Sequence, residues 1–396
     1  MPAIAPLVAS LGIAQIISWG TLFYAIGVLG TPMRTELGVS DVFLFGAFTA
    51  GLLVSGVLAP LAGRRIDRDG GRAVLCAGSI VGTLAMAVLA WATSPALMVA
   101  GWLLAGAAMA GVLYDPAFAA LSYHVGEGYR RAVTILTLFG GFASTVFWPL
   151  SQVLFEAIGW RGTFALYALM HLLVCLPIHA FMIPRSRGAA APVAARGPVA
   201  PAPAPDPPLR GLAAAFGIAT FVFGIVAVHL INLLTAAGVP RSQAVAMSML
   251  VGPMQVAGRV VELMVARRVR PAHVGAVAFA LMALAVAALM AVRGPGAAAL
   301  LFVAAYGCGN GLLTIAKGTV PAELYGRQGL GGLLGYIARA GMFAKAVAPA
   351  AWPALLALGL ARPAALAALL AVAAAGWATY AWAVRARLHG VPPARV

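Results

Sequence analysis

Charge is scarce in this chain. Of 396 residues, 26 are Lys or Arg and 10 are Asp or Glu, so 9% are charged. Soluble domains carry roughly 25%, which excludes an ordinary water-soluble fold. Cysteine is nearly as rare. Cys76, Cys175 and Cys308 lie far apart in apolar segments with no CxxC pair, which excludes a disulfide framework and a CxxC metal site, while as thiolates they would suit trivalent arsenic. Each reads as a small buried hydrophobe. No P-loop, nucleophile–base pairing or metal-ligand spacing occurs, so neither an enzyme, an ATP-driven machine nor a bound cofactor or metal is expected. Short alternating strands are missing too, which leaves out a transmembrane barrel.

Apolar residues are what the chain has: 63% are hydrophobic. Runs of about 20 such residues match a hydrocarbon core about 30 Å thick at 1.5 Å per helical residue. Twelve spans are expected, at about 7–30, 42–62, 73–92, 97–121, 132–155, 163–184, 211–236, 243–265, 272–292, 298–317, 331–357 and 362–384. The fold class is therefore an all-α polytopic membrane protein. The first segment, "MPAIAPLVAS", lacks a basic flank and reads as a retained helix. Residues 185–210 are rich in Ala, Pro and Gly and read as a linker. The linker separates six spans in 1–184 from six in 211–396.

A net charge of +16 could signal nucleic-acid binding, but basic loops also fix membrane orientation. With the N-terminus inside, seventeen arginines fall in inner loops and tail and five in outer loops. Both termini are then cytoplasmic, membrane lipids are the contacts, and no nucleic-acid partner is expected.

An internal repeat supports the division. "GRRID" (63–67) follows span 2, and "GRVVE" (258–262) closes span 8. Gly111 in span 4 matches Gly311 in span 10, and "GGFASTVFWP" (140–149) faces "AGMFAKAVAP" (340–349). Two parallel six-helix repeats are a transporter plan, with the substrate site near the bilayer midplane.

The stretch "GRRIDRDGGR" (63–72) packs four arginines, two aspartates and three glycines into a hydrophilic turn between spans 2 and 3. With Gly63, Asp67, Arg68, Gly70 and Arg72 at its key positions, it resembles the loop signature of the major facilitator superfamily. Gly71 stands where that family often has Arg. The resemblance covers the chain outside the linker. It implies two pseudo-symmetric six-helix bundles, alternating access, a monomer, and a gate at the cytoplasmic side. In that gate Asp67 engages a facing helix N-terminus, whose partial positive charge favours a carboxylate. Gly258, Arg259 and Glu262 would form the second copy. The span-5 signature of drug antiporters is only partly echoed by Gly140, Gly141 and Trp148-Pro149, and Trp102 stands where their span-4 arginine is expected.

Ionisable groups inside a membrane are costly and so mark function. Lys345, midway along span 11, reads as an anion-binding or coupling residue, with a structural ion pair as the competing reading. Arg339, nearer the inside, reads as facing the gate. Asp115, ahead of the kinking Pro116, reads either as a proton carrier or as partner to Lys317, the latter favoured. Gln15, Trp19 and Tyr24 are spaced for roughly one face of span 1. His229 and Asn232 are i, i+3 neighbours in span 7. Spans 1, 4, 7 and 10 line the cavity in the resembled family, which adds Tyr114 and Asn310. His171 and His179, in span 6, read as packing residues.

The function these readings favour is a proton-linked secondary carrier of a small organic anion in a bacterial-type inner membrane, since four intramembrane basic residues exceed two acids. "QIISWGTLFYAIGV" with a span-11 lysine is similar to organic-anion carriers. The alternative is efflux of a toxicant: "YDPAFAAL", "TLFGGFASTVFWPL" and "GWR" resemble a facilitator group with arsenite-efflux members. A non-transporting receptor is the remote reading, because no signalling domain is visible.

Overall fold

The computed structural model describes residues 4–184 and 205–389, and among these it is helical with no strand. Four helices open the chain: α1 (Ala5–Leu37), α2 (Asp41–Asp69), α3 (Arg72–Ala90) and α4 (Pro95–His124). The next helical run, Tyr129–Met182, has 54 residues. At 1.5 Å per residue it would extend about 81 Å, far beyond one bilayer crossing. It breaks at Gly159, whose φ of 69° and ψ of 173° are not helical. The run is therefore two spans, α5 (129–158) and α6 (160–182). Then follow α7 (Pro207–Thr235), α8 (Arg241–Val265), α9 (Pro271–Ala291), α10 (Ala297–Tyr325), α11 (Leu330–Ala357) and α12 (Arg362–His389). Eleven apolar runs thus make twelve spans.

These helices form two compact units. One comprises α1–α6 with residues 327–339; the other comprises α7–α10, α11 from residue 340 onward, and α12. In the first unit the α5–α6 corner is tied down. Trp160 Nε1 donates to Glu36 Oε2 at 2.6 Å, Arg161 Nη1 pairs with Glu36 Oε1, and Arg161 Nη2 donates to Ala92 O at 2.8 Å. In the second unit Phe279 and Tyr380 stack with ring centroids 4.6 Å apart, and Tyr380 Oη donates to Ala272 O at 2.8 Å.

Two local expectations need correction. Most of the expected linker, 185–204, lies outside the described residues, as do Arg185, Arg187, Arg196 and Arg395. Its last residues, however, are helical, for α7 starts at Pro207. Asp206 caps it by accepting the Leu209 N–H at 2.8 Å, and a proline at the first helical position forfeits no bond. The stretch 63–72 is likewise not a turn for most of its length, since α2 continues to Asp69. Only Gly70 (φ 82°) and Gly71 (φ 78°) leave the helix, in left-handed conformations that favour glycine.

Three helices carry local departures that shape the site. A π-helical turn, Gly20–Tyr24, interrupts α1. Such bulges cluster at functional sites. In α4, Leu113 is extended (ψ −165°), because Pro116 has no N–H for the Val112 carbonyl. In α6, His171–Cys175 and Ile178–Met182 are also π-helical.

Candidate functional site

The arginine-rich end of the first unit holds the clearest constellation. Asp67 sits on the last turns of α2, and residues 330–339 begin α11. The first N–H groups of a helix lack intrahelical acceptors. Here Gly331 N donates to Asp67 Oδ1 and Gly332 N to Asp67 Oδ2, each at 2.7 Å. The approach needs glycines, since a methyl on Gly63 or on Gly331 would overlap the carbonyl oxygen of the other. A complementary contact lies alongside. Arg327 Nη1 donates to Val125 O and to Gly126 O (2.6 Å for the latter), the carbonyl end of α4, where a cation is favoured. His124 ties this end to the α2–α3 turn by donating to Gly70 O at 3.0 Å. Of the other signature residues, Arg68 turns to Asp69 (Nε–Oδ1 3.0 Å) and Arg72 starts α3 half-buried.

Deeper in the same unit, the α1 bulge and the α4 bend bring aromatic rings together. Trp19 lies 5.1 Å from Tyr114, 6.2 Å from Tyr24 and 5.3 Å from Phe23, centroid to centroid. Tyr24 meets Trp148 of α5 at 5.8 Å, and Phe23 meets Phe48 of α2 at 5.6 Å. Tyr24 and Tyr114 are half-buried, and Trp148 is 51% exposed. This gives an aromatic wall with two phenol hydroxyls. Asp115 follows Tyr114 and is 7% exposed.

Gln15 does not join that wall, contrary to its spacing. The π-turn widens the repeat between Trp19 and Tyr24, which a uniform helix would set about 140° apart, and so brings those two rings together without Gln15. Gln15 is fully buried, and its Nε2 donates to Val112 O at 2.6 Å. That carbonyl is the one Pro116 leaves without its helical donor. Gln15 therefore repairs the break in α4.

In the second unit His229 makes the same kind of repair. Its Nε2 donates at 2.9 Å to Pro349 O, which Pro353, four residues on, cannot bond. Asn232 is exposed and Asn310 half-buried. Lys345 is half-buried, about 22 Å along α11 from Leu330 by helical rise. Arg339 is exposed and belongs to the first unit. Gly258 packs on the backbone of Cys308, where a methyl would lie 3.0 Å from its carbonyl oxygen. Arg259 and Glu262 are 2% and 1% exposed. Arg259 Nη2 reaches only Gln255 Oε1, at 3.5 Å, while its Nε and Nη1 have no partner among the described residues. Among those residues no three His, Cys, Asp or Glu side chains converge as metal ligands, and the Cys308 thiol donates to Met254 O at 3.3 Å.

The family profile described as Major Facilitator Superfamily matches residues 11–349. The chain belongs to that superfamily. No curated protein matches it by sequence. Its fold is shared with solved superfamily structures. The human organic anion transporter MFSD10 (TETRAN) superposes with a TM-score of 0.71 at 18% identity, covering 96% of this chain and 100% of that one. FucP in its outward conformation gives 0.73 at 15% identity, covering 95% and 98%. The proton:xylose symporter XylE, bound to 6-bromo-6-deoxy-D-glucose, gives 0.72 at 12% identity, covering 96% and 95%. These likenesses establish a membrane transporter fold and leave the solute to be argued from the residues.

Several residues of this superfamily member escaped the sequence. Arg327 carried only a loop-charge signal, although its place one residue after Gly326 and three before α11 marks a helix entry. Phe48 carries no motif, Phe23 and Trp148 lie in quoted runs but were given no role in the site, and the bends in α1 and α4 bring their rings together. His171 and His179 are packing residues as read, but their partners were not visible. Both are fully buried and bonded, His171 Nε2 to Thr21 Oγ1 at 2.8 Å and His179 Nδ1 to Ser79 Oγ at 2.7 Å. The first of these bonds pins the α1 bulge to α6.

Proposed function

We propose that this superfamily member is a secondary carrier that moves a small organic anion by alternating access, coupled to protons. The observation that carries the reading is Arg259. A guanidinium 2% exposed, with Nε and Nη1 unpartnered among the described residues, is costly to bury. A carboxylate ligand offsets that cost through paired N–H donors. Lys345, in the same unit as Arg259, adds a second cation inside a span. Asp115 is the proton carrier in this reading. Asp67, with Gly63 and the first turn of α11, is the latch that closes and opens the gate. Arg259 is thereby moved from the gate, where the repeat had put it, to the solute. The name of the human relative, an organic anion transporter, agrees in chemistry. The excess of arginine in loops on one side supports cytoplasmic termini.

The test is a thermal-stability screen of the detergent-purified protein against monocarboxylates, dicarboxylates, inorganic oxyanions, arsenite and organic cations. Ligand at 100 times its dissociation constant stabilises by about 2.7 kcal/mol. One anion class should raise the melting temperature in the wild type and not in Arg259→Gln or Lys345→Ala. A shift with arsenite or cations alone, unchanged in both variants, would replace this reading with efflux.

A further inference from the structure

We propose that the face formed by the last turns of α12 is a binding site for an anionic phospholipid. Ala378, Ala381, Trp382, Arg385, Ala386 and His389 line a groove of about 430 Å³ there. Residues 378, 382, 385 and 389 recur every three to four positions and so share one helix face. The three alanines recess the surface, leaving an apolar floor. Trp382 makes its wall. Its indole is 51% exposed and is held against α7, where a methyl on Gly211 would come within 2.6 Å of the ring.

The rim is basic, and no acid lines the groove among the described residues. Arg385 and His389 close one end, and Arg210 precedes Gly211 on α7. Arg385 makes no ion pair among the described residues. Arg387, two positions on, shows the contrast. It donates to Leu324 O at 3.2 Å, lies 3.8 Å from Asp206 Oδ2 and covers the Tyr325 ring at 4.4 Å, so its charge is matched within the fold. An unmatched arginine beside a half-exposed tryptophan, at the end of an apolar span, is the chemistry of the membrane interface. The phosphate of a lipid meets Arg385, with Arg210 one residue before the glycine that faces Trp382, while an acyl chain lies along the alanine floor. A soluble anion has no use for that floor, and a zwitterionic headgroup brings its own cation to the arginines.

The experiment is native mass spectrometry of the full chain in detergent, titrated with dioleoyl phosphatidylglycerol or dioleoyl phosphatidylcholine. The anionic lipid should be retained in preference to the zwitterionic one. Each of Arg385→Gln and Arg210→Gln should weaken retention about fivefold, the effect of one basic residue near the surface. Arg268→Gln, in the α8–α9 turn, should leave it unchanged. Trp382→Ala should weaken both lipids; should that variant fail to fold, the two charge variants still decide. Equal retention of the two lipids, or an equal loss in Arg268→Gln, overturns the proposal. So does glycerol 3-phosphate binding as tightly as the lipid, which would make the site one for free phosphate. None of these readouts depends on the transported solute.

Discussion

The Asp67 carboxylate accepts the Gly331 N–H at 2.7 Å, and the two residues are separated by 264 positions in sequence. A charge at a helix N-terminus contributes about 0.3–2 kcal/mol, depending on exposure. That is strong enough to favour one arrangement and weak enough to break during a transport cycle. Arg327 repeats the logic with the opposite sign at the carbonyl end of α4. An acid on one helix start and a base on another helix end make the contact selective for orientation.

Removing the carboxylate should therefore loosen the first turn of α11. In Asp67→Ala, amide hydrogen exchange over residues 327–339 should rise about fivefold, matching a lost cap of about 1 kcal/mol. Asp67→Asn should fall between, since it keeps one acceptor and loses the charge. Once a solute is known, Asp67→Asn should slow turnover more than it weakens binding. Unchanged exchange in Asp67→Ala would remove the latch.

The glycine contact makes a separate prediction. Gly63→Val places side-chain atoms where the Gly331 carbonyl lies, so α2 and α11 must separate. Overpacking of this kind costs about 1–3 kcal/mol. The melting temperature should fall, and exchange over 327–339 should rise as in Asp67→Ala. A variant as stable as wild type, with normal exchange, would show that the contact yields freely.

Much of this was legible beforehand, for physical reasons. Apolar runs of bilayer length report twelve spans directly, including the two at 132–155 and 163–184 that the structure joins in one helical run broken at Gly159. Gly63, Asp67 and Gly70 could be placed because their spacing is local. What was not legible depends on partners far away in sequence. Gln15, Trp19 and Tyr24 were read onto one face, yet at about 100° per residue Tyr24 stands opposite Gln15; the π-turn carries Tyr24 to Trp19, and Gln15 meets Val112 of α4 instead. Nothing near His171 in the chain tells that Thr21 waits for it on α1. Proline positions were visible, but which side chain answers each freed carbonyl was not.

That last relationship can be tested by a double-mutant cycle. Gln15→Leu should destabilise the protein by about 1 kcal/mol, because Val112 O loses its donor in a buried setting. Pro116→Ala restores a backbone N–H to that carbonyl. In the Pro116→Ala background Gln15→Leu should then cost markedly less, giving a coupling energy of at least about 0.5 kcal/mol. Additive effects in thermal or denaturant unfolding would show that Gln15 stabilises α4 by some route other than the stranded carbonyl.

His229 and Pro353 form the corresponding pair in the second unit, and here the outcome separates structure from transport. His229→Leu removes the donor to Pro349 O and should lower the melting temperature. His229→Asn keeps a donor but on a shorter side chain, so it should recover only part of the loss. Pro353→Ala should recover most of it, because the helix then bonds its own carbonyl. If His229 serves only this repair, His229→Leu combined with Pro353→Ala should bind the solute as the wild type does. If solute binding stays impaired while stability returns, the imidazole also meets the solute, and the candidate site then includes α7 as well as Arg259 and Lys345.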